Sequence, residues 1–84
     1  MDRQRFKDLL DKEHAWPCSY KFKFIVERQH LDALLAHFPG EQPQVRPSAK
    51  ERFVGVTLEL PMADSDSVLA VYDRVRDVPS LMAL

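Results

Sequence analysis

Residues 52–60 read Arg52-Phe-Val-Gly-Val-Thr-Leu-Glu-Leu60 and alternate strictly. Val54, Val56, Leu58 and Leu60 fall on one side of an extended chain, and Phe53, Gly55, Thr57 and Glu59 on the other. Successive side chains of a strand point to opposite faces, so the pattern predicts a strand with one face in a core and one face open. No proline interrupts it before Pro61, and no charge falls on its apolar side. Both features suit a central strand.

Working outward, Cys18-Ser-Tyr-Lys-Phe-Lys-Phe-Ile-Val26 alternates in the same way. Tyr20, Phe22, Phe24 and Val26 share a side headed by Cys18, with Ser19, Lys21, Lys23 and Ile25 opposite. This predicts a second half-buried strand, rich in aromatics. Between the two strands, Glu27-Arg28-Gln29 turns into a helix over about 30–38, with Leu31, Leu34, Leu35 and Phe38 on one face and Pro39-Gly40 as the stop. Residues 42–47 carry Pro43 and Pro47, which fit an edge strand, joined through 48–51 as a hairpin. Beyond Pro61, Asp64 caps a helix to about Asp77 that buries Val68, Val71, Tyr72, Val75 and Val78. Pro79 ends it, and 80–84 closes the sheet as a last strand.

Ahead of all this, residues 2–13 form an amphipathic helix with Phe6, Leu9 and Leu10 on its stripe. Asp2 suits its N-terminal dipole, and Asp8 and Lys12 are spaced for an ion pair. Trp16-Pro17 ends the segment, and the helix is expected to pack as a lid, either on the domain or over the open sheet face.

The order is helix, then strand–helix–strand–strand–helix–strand, which predicts an α+β, ferredoxin-like βαββαβ sandwich with an extra N-terminal helix. A single domain spans 1–84, with the helix in 1–15 and the core in 16–84. Strands 18–26 and 52–60 are central, 42–47 and 80–84 are edges, and both core helices cover one face. The expected core is Phe22, Phe24, Leu31, Leu35, Val54, Val56, Leu58, Val68, Val71, Tyr72 and Val75.

Three stretches together carry a family resemblance: Trp16-Pro-Cys-Ser-Tyr-Lys-Phe-Lys-Phe-Ile-Val26, Arg46-Pro-Ser-Ala-Lys-Glu-Arg-Phe-Val-Gly-Val-Thr-Leu58, and Val71-Tyr72 ahead of Leu84. They resemble the YbeD-like family of small bacterial proteins of unknown function, most specifically in the Arg-Pro-Ser-x-Lys-x-Arg-Phe run. The resemblance implies a fold similar to the ACT regulatory domain, and so a ligand-binding or regulatory role. The chain departs from the family at Glu51, where a glycine is usual. It departs from amino-acid-binding ACT domains at Glu27-Arg28-Gln29, which contains no glycine.

Composition and motifs narrow the chemistry. Eighty-four residues with 45% hydrophobic and 30% charged side chains make one modest core, which buries about two-thirds of the unfolded surface. The formal charge of −1 gives no basic excess, which argues against a large nucleic-acid surface. The lone Cys18 excludes an internal disulfide, and the charged start Met1-Asp-Arg-Gln-Arg is no secretory leader. No apolar run nears the ~20 residues of a membrane span. A cytoplasmic location is expected.

His30 and His37 are two helical turns apart, roughly 10 Å, which is too far to share an ion. Cys18 heads the core-facing row and is expected to be a buried, inert thiol, so neither His14 nor His30 is expected to make a nucleophilic pair with it. With only Gly40 and Gly55, no phosphate loop can be written. No catalytic residue, metal site or cofactor is expected, and the chain is read as a non-enzyme.

Two surfaces remain. Arg46, Ser48, Lys50 and Arg52 cluster at the hairpin and suit an anionic small ligand or a partner protein. Lys21, Lys23, Phe53 and Thr57 lie on the open sheet face, the place where such sheets stack single-stranded RNA. The expected role is that of a regulatory binding module, homodimeric through an edge strand or the open face. RNA binding is the alternative.

Overall fold

The computed structural model describes residues 2–47 and 52–84. Ser48, Lys50 and Glu51 of the expected hairpin lie outside the described residues. In chain order the elements are α1 (Arg3–Glu13), β1 (Cys18–Glu27), a 3₁₀ turn (Arg28–His30) running into α2 (Leu31–Leu35), β2 (Gln44–Pro47), β3 (Phe53–Met62), α3 (Ser65–Val75) and β4 (Met82–Ala83). The strands form one antiparallel four-stranded sheet in the order β2-β3-β1-β4.

The two alternating stretches are the long central pair. Their register sets Phe22 opposite Leu58, Phe24 opposite Val56 and Val26 opposite Val54. All six are buried, together with Leu60 on β3, Leu10 of α1, Leu34 of α2, and Val68, Leu69, Val71 and Val75 of α3. One face of the sheet therefore carries the core and the helices. Each such side chain contributes roughly 1.5–3 kcal/mol by leaving water, so the even-numbered rows of β1 and β3 dominate the fold's stability. β3 runs past Pro61 to Met62, whereas β2 pairs only with residues 54–57. At Pro61 the outer side of β3 is thus an edge, where a missing N–H is tolerated.

Caps fix the two longer helices. The Asp2 carboxylate accepts from the Gln4 and Arg5 N–H groups. Asp64 accepts from the N–H and hydroxyl of Ser67, both at 2.8 Å. Such caps contribute about 1 kcal/mol each.

Several expectations change. The helix expected over 30–38 is only Leu31–Leu35, entered by the 3₁₀ turn. So short a helix depends on docking, and Leu34 and Phe38 go fully inside while Leu31 and Leu35 only pack at the margin. Tyr72 is also half-buried, its hydroxyl 3.5 Å from that of Tyr20. Burial, and then that contact, pushes its phenol above its ordinary pKa. Cys18 is half-exposed, not buried, because it starts β1 opposite Met62, beyond the packed rows.

α1 does not cover the open sheet face. It lies against α3, through an Arg3–Asp73 ion pair at 3.0 Å and a Phe6–Tyr72 ring contact at 5.8 Å. Lys7 donates to Ser65 Oγ at 2.8 Å and meets Asp66 at 3.3 Å. Docked on both sides, α3 buries Leu69 as well as Val68, Val71 and Val75 of the expected stripe.

The Trp16–Pro17 peptide is cis. Between α3 and β4, Ser80 adopts a left-handed φ of 64°, uncommon for a residue with a side chain. Its hydroxyl accepts from the Glu27 N–H at 3.1 Å and lies 3.3 Å from His30 Nδ1. Those contacts offset the strain and pin the start of β4 to the end of β1. No helix among the described residues is long and apolar enough to cross a membrane.

Candidate functional site

With the helices on one side, the odd-numbered residues of β1 and β3 face outward. Lys21, Lys23 and Glu59 are exposed, and Ile25, Phe53, Gly55 and Thr57 are half-exposed. The register extends this face across all four strands. Met82, Ile25, Gly55 and Arg46 form one row, and Lys23, Thr57 and Gln44 the next. Lys21 sits opposite Glu59, and Glu27 opposite Phe53.

Gly55 is at the centre. A Cβ built there would meet only the Arg46 carbonyl oxygen, at 3.8 Å, an ordinary contact. Internal packing therefore does not demand a glycine. What the glycine does is bare the backbone in the middle of the face, between Ile25, Arg46, Phe53 and Thr57. A strand glycine of this kind marks a place that another chain or ligand can approach closely.

The charges around it are unevenly paired. Arg52 reaches Glu27 at 3.6 Å, and its guanidinium lies 5.9 Å from the centre of the Phe53 ring. Glu59 accepts from the Ser19 hydroxyl at 3.2 Å. Lys21, Lys23 and Arg46 form no ion pair among the described residues. Three cations without an ion pair among the described residues thus share a face with an apolar spot made of Ile25, Met82 and the bare Gly55 backbone, Lys23 and Arg46 beside it and Lys21 two rows away, opposite Glu59.

Of the expected hairpin residues, Arg46 and Arg52 are described and both are exposed, while Ser48 and Lys50 lie outside the described residues. Arg46 is three positions further along the sheet than Arg52, roughly 10 Å along the strand, and Arg52 turns toward β1. The structure thus makes Arg46 part of the open face, so the hairpin and the face read separately from sequence share one surface. Lys21, Lys23, Phe53 and Thr57 all lie on that face. Ile25 and Met82 complete it. The alternation placed Ile25 there, but the register of the two-residue β4 had no sequence signal.

The remaining candidates are engaged elsewhere. His14 packs against Trp16 and Tyr20, each with ring centres 5.3 Å away, and His30 faces Ser80. Cys18 lines a shallow hollow with Pro17, Pro61, Met62 and Ala63. No group of three or more His, Cys, Asp or Glu residues gathers for a metal among the described residues.

Residues 11–84 match the family described as a protein of unknown function (DUF493). A UPF0250 protein of Yersinia pestis (strain Pestoides F) is 32% identical over 76 residues, which cover 82% of this chain and 87% of the relative. A UPF0250 protein of Serratia proteamaculans (strain 568) is 27% identical over 79 residues, 86% of this chain and 91% of the relative. No solved structure gives a significant match. The family resemblance read from Trp16–Val26 and Arg46–Leu58 is borne out.

Proposed function

This chain belongs to the DUF493 family, and we propose that it is a non-catalytic binding module whose open sheet face captures an acidic segment of a partner protein. The observation that carries this is the set Lys21, Lys23 and Arg46, unpaired among the described residues, on the face that bares the backbone of Gly55. Lys21 and Lys23 are two residues apart on one strand, roughly 7 Å, the spacing of alternate side chains in an extended acidic segment. The face is broad, and Arg46 stands two strands away from the lysines, which favours a partner chain over a compact anion. Exposed pairs of this kind contribute up to about 1 kcal/mol each, so binding is expected to be modest and to weaken with salt.

The element order and the strand order support a ferredoxin-like, ACT-like reading of the fold, and with it a regulatory role. A cytoplasmic location fits the lone, half-exposed thiol. The proposal extends to a homodimer: β4 pairs only with Phe24 and Ile25, which leaves the first half of β1 without a strand neighbour on that side among the described residues.

The test is affinity capture from the native cell with wild type and a Lys21→Glu/Lys23→Glu/Arg46→Glu variant. The variant is expected to lose its partner by at least about tenfold while melting within a few degrees of wild type, since all three positions are exposed. Undiminished capture by a folded variant rejects the face as the site.

A second reading, single-stranded RNA, has one observation in its favour: Phe53 beside Gly55, on the same face as Lys23 and Lys21, which stand two and three rows further along the sheet. RNA sheets stack two or three bases on as many aromatics, and this face offers one. Salt-dependent binding to a generic single-stranded RNA, lost in Lys21→Ala/Lys23→Ala/Phe53→Ala, would put RNA in place of the acidic partner.

A further inference from the structure

On the opposite side of the molecule, α1, α3 and β4 enclose a cleft of about 570 Å³. Phe6, Leu69, Tyr72, Ala83 and Leu84 line it, with Arg3, Asp73 and Arg76 at its rim. A smaller hollow of about 280 Å³ shares Tyr72, Arg76 and Ala83 and continues over Phe24, Val75 and Leu81. Together they make one apolar trough that runs past Arg76. The volume lies in the range of small-molecule sites, which are mostly apolar with a few placed polar groups.

The two arginines differ. Arg3 is neutralised by both carboxylate oxygens of Asp73, at 3.0 and 3.1 Å. Arg76 has no ion-pair partner among the described residues, although it stands over the apolar floor. An apolar trough with a single uncompensated guanidinium is complementary to a molecule with an apolar body and one negative head. Tyr72 sits at the junction of the two hollows, where its ring supplies floor.

We propose that this cleft is a binding site for an amphipathic monocarboxylate, a short acyl or aryl acid, with its carboxylate on Arg76 and its apolar body over Phe6, Leu69 and Tyr72. Arginine suits that head, because its planar fork meets a carboxylate with two parallel hydrogen bonds. The body replaces water over Phe6 and Tyr72, which the fold leaves half-covered, the apolar gain expected of such sites. The site is separate from the open sheet face and does not depend on the role proposed there.

Octanoate, phenylacetate and octanol are the probes, followed by amide chemical shifts of the full chain. Octanoate or phenylacetate is expected to shift Leu69, Tyr72, Arg76 and Ala83 and to leave Lys21, Lys23 and Thr57 unmoved. Octanol, which lacks the charge, is expected to bind at least about tenfold more weakly. Arg76→Gln should weaken octanoate by a similar factor, and Ala83→Phe should block the cleft. Both positions are exposed, so the variants are expected to fold, and both should retain capture through the sheet face. The proposal is overturned if neither acid shifts the cleft at about 10 mM, if octanol binds as well as octanoate, or if both variants bind octanoate like wild type.

Discussion

Gly55 is the residue at which fold and proposed function part company. A glycine inside a strand costs about 0.5–1 kcal/mol relative to a residue with a side chain, and a β-branched residue packs well on a pleated face. Its neighbours leave room, since an added Cβ meets only the Arg46 carbonyl oxygen at 3.8 Å. Gly55→Thr should therefore raise stability by about 0.5–1 kcal/mol in urea unfolding. The same change should weaken partner capture, because it raises a side chain in the middle of the face. A destabilised variant would mean that the fold itself uses the bare backbone, and unchanged capture would mean that no partner approaches there. Ser80 is a contrasting case. Its φ of 64° is strained, yet its hydroxyl serves both Glu27 and His30, so the strain is tied to a structural contact and not to the binding face.

Among the elements, α1 is the one whose place depends most on charge. Asp11 accepts from the Trp16 indole Nε1–H at 2.9 Å and faces Lys7 at 3.7 Å. Hydrogen bonding from Ser65, then from Trp16, with the Lys7 charge, holds its carboxyl below the ordinary aspartate value of 3.8. Asp64 is likewise lowered, by the Ser67 N–H and hydroxyl. Carboxyls with depressed folded-state values contribute their stabilisation in full above the ordinary aspartate range and lose it as pH falls through the lower folded value. The α1–α3 seam should thus hold at neutral pH and loosen below about pH 4. The Trp16 indole proton resonance reports this directly: its titration midpoint should fall below 3.8 and disappear in Asp11→Asn. A midpoint at or above that value would mean that the hydrogen bonds are not made. How far each element was legible follows from what fixed it. β1 and β3 bury one face of a strict alternation, so their extent and facing were readable to within a residue or two. The apolar stripe of α1 announced that it packs, but a stripe does not say against which layer, and so its docking on α3 was not legible. β2 is exposed along its whole length, so no pattern set its register, and that register is what brings Arg46 onto the face. α2 misled because Leu31, Leu34, Leu35 and Phe38 have helical spacing over a stretch too short to sustain a helix by itself.

At the scale of the whole molecule, the sheet is long in the middle and short at its margins. β1 runs from Cys18 to Glu27, yet β4 pairs only with Phe24 and Ile25. The Leu84 N–H donates to the Lys23 carbonyl at 2.8 Å, so Lys23 turns its backbone groups toward the β4 side. Residues two apart along a strand turn the same way, so Ser19 and Lys21 present theirs along the same margin, where no strand neighbour stands among the described residues. A two-fold antiparallel pairing of two copies has two simple registers here. Centred on Lys21, it sets like charges face to face, which is destabilising. Centred on Tyr20, it sets Lys21 of each copy opposite Ser19 of the other, with both pairs exchanging N–H and carbonyl bonds. The second register is the one proposed for the homodimer, and lysine at such an edge also discourages other pairings. A seam of a few residues is small beside the roughly 1,200–2,000 Å² of a stable interface, so association should be weak and concentration-dependent. Light scattering should show the mass rising from monomer toward dimer with concentration. Ser19→Lys places like charges opposite Lys21 in that register and should hold the protein monomeric, with its melting temperature little changed because Ser19 is exposed. A wild-type protein that stays monomeric at every concentration sinks the dimer. A Ser19→Lys variant that dimerises like wild type moves it off the β1 edge and leaves the open face, where Lys21→Glu/Lys23→Glu would then be the change that dissociates it.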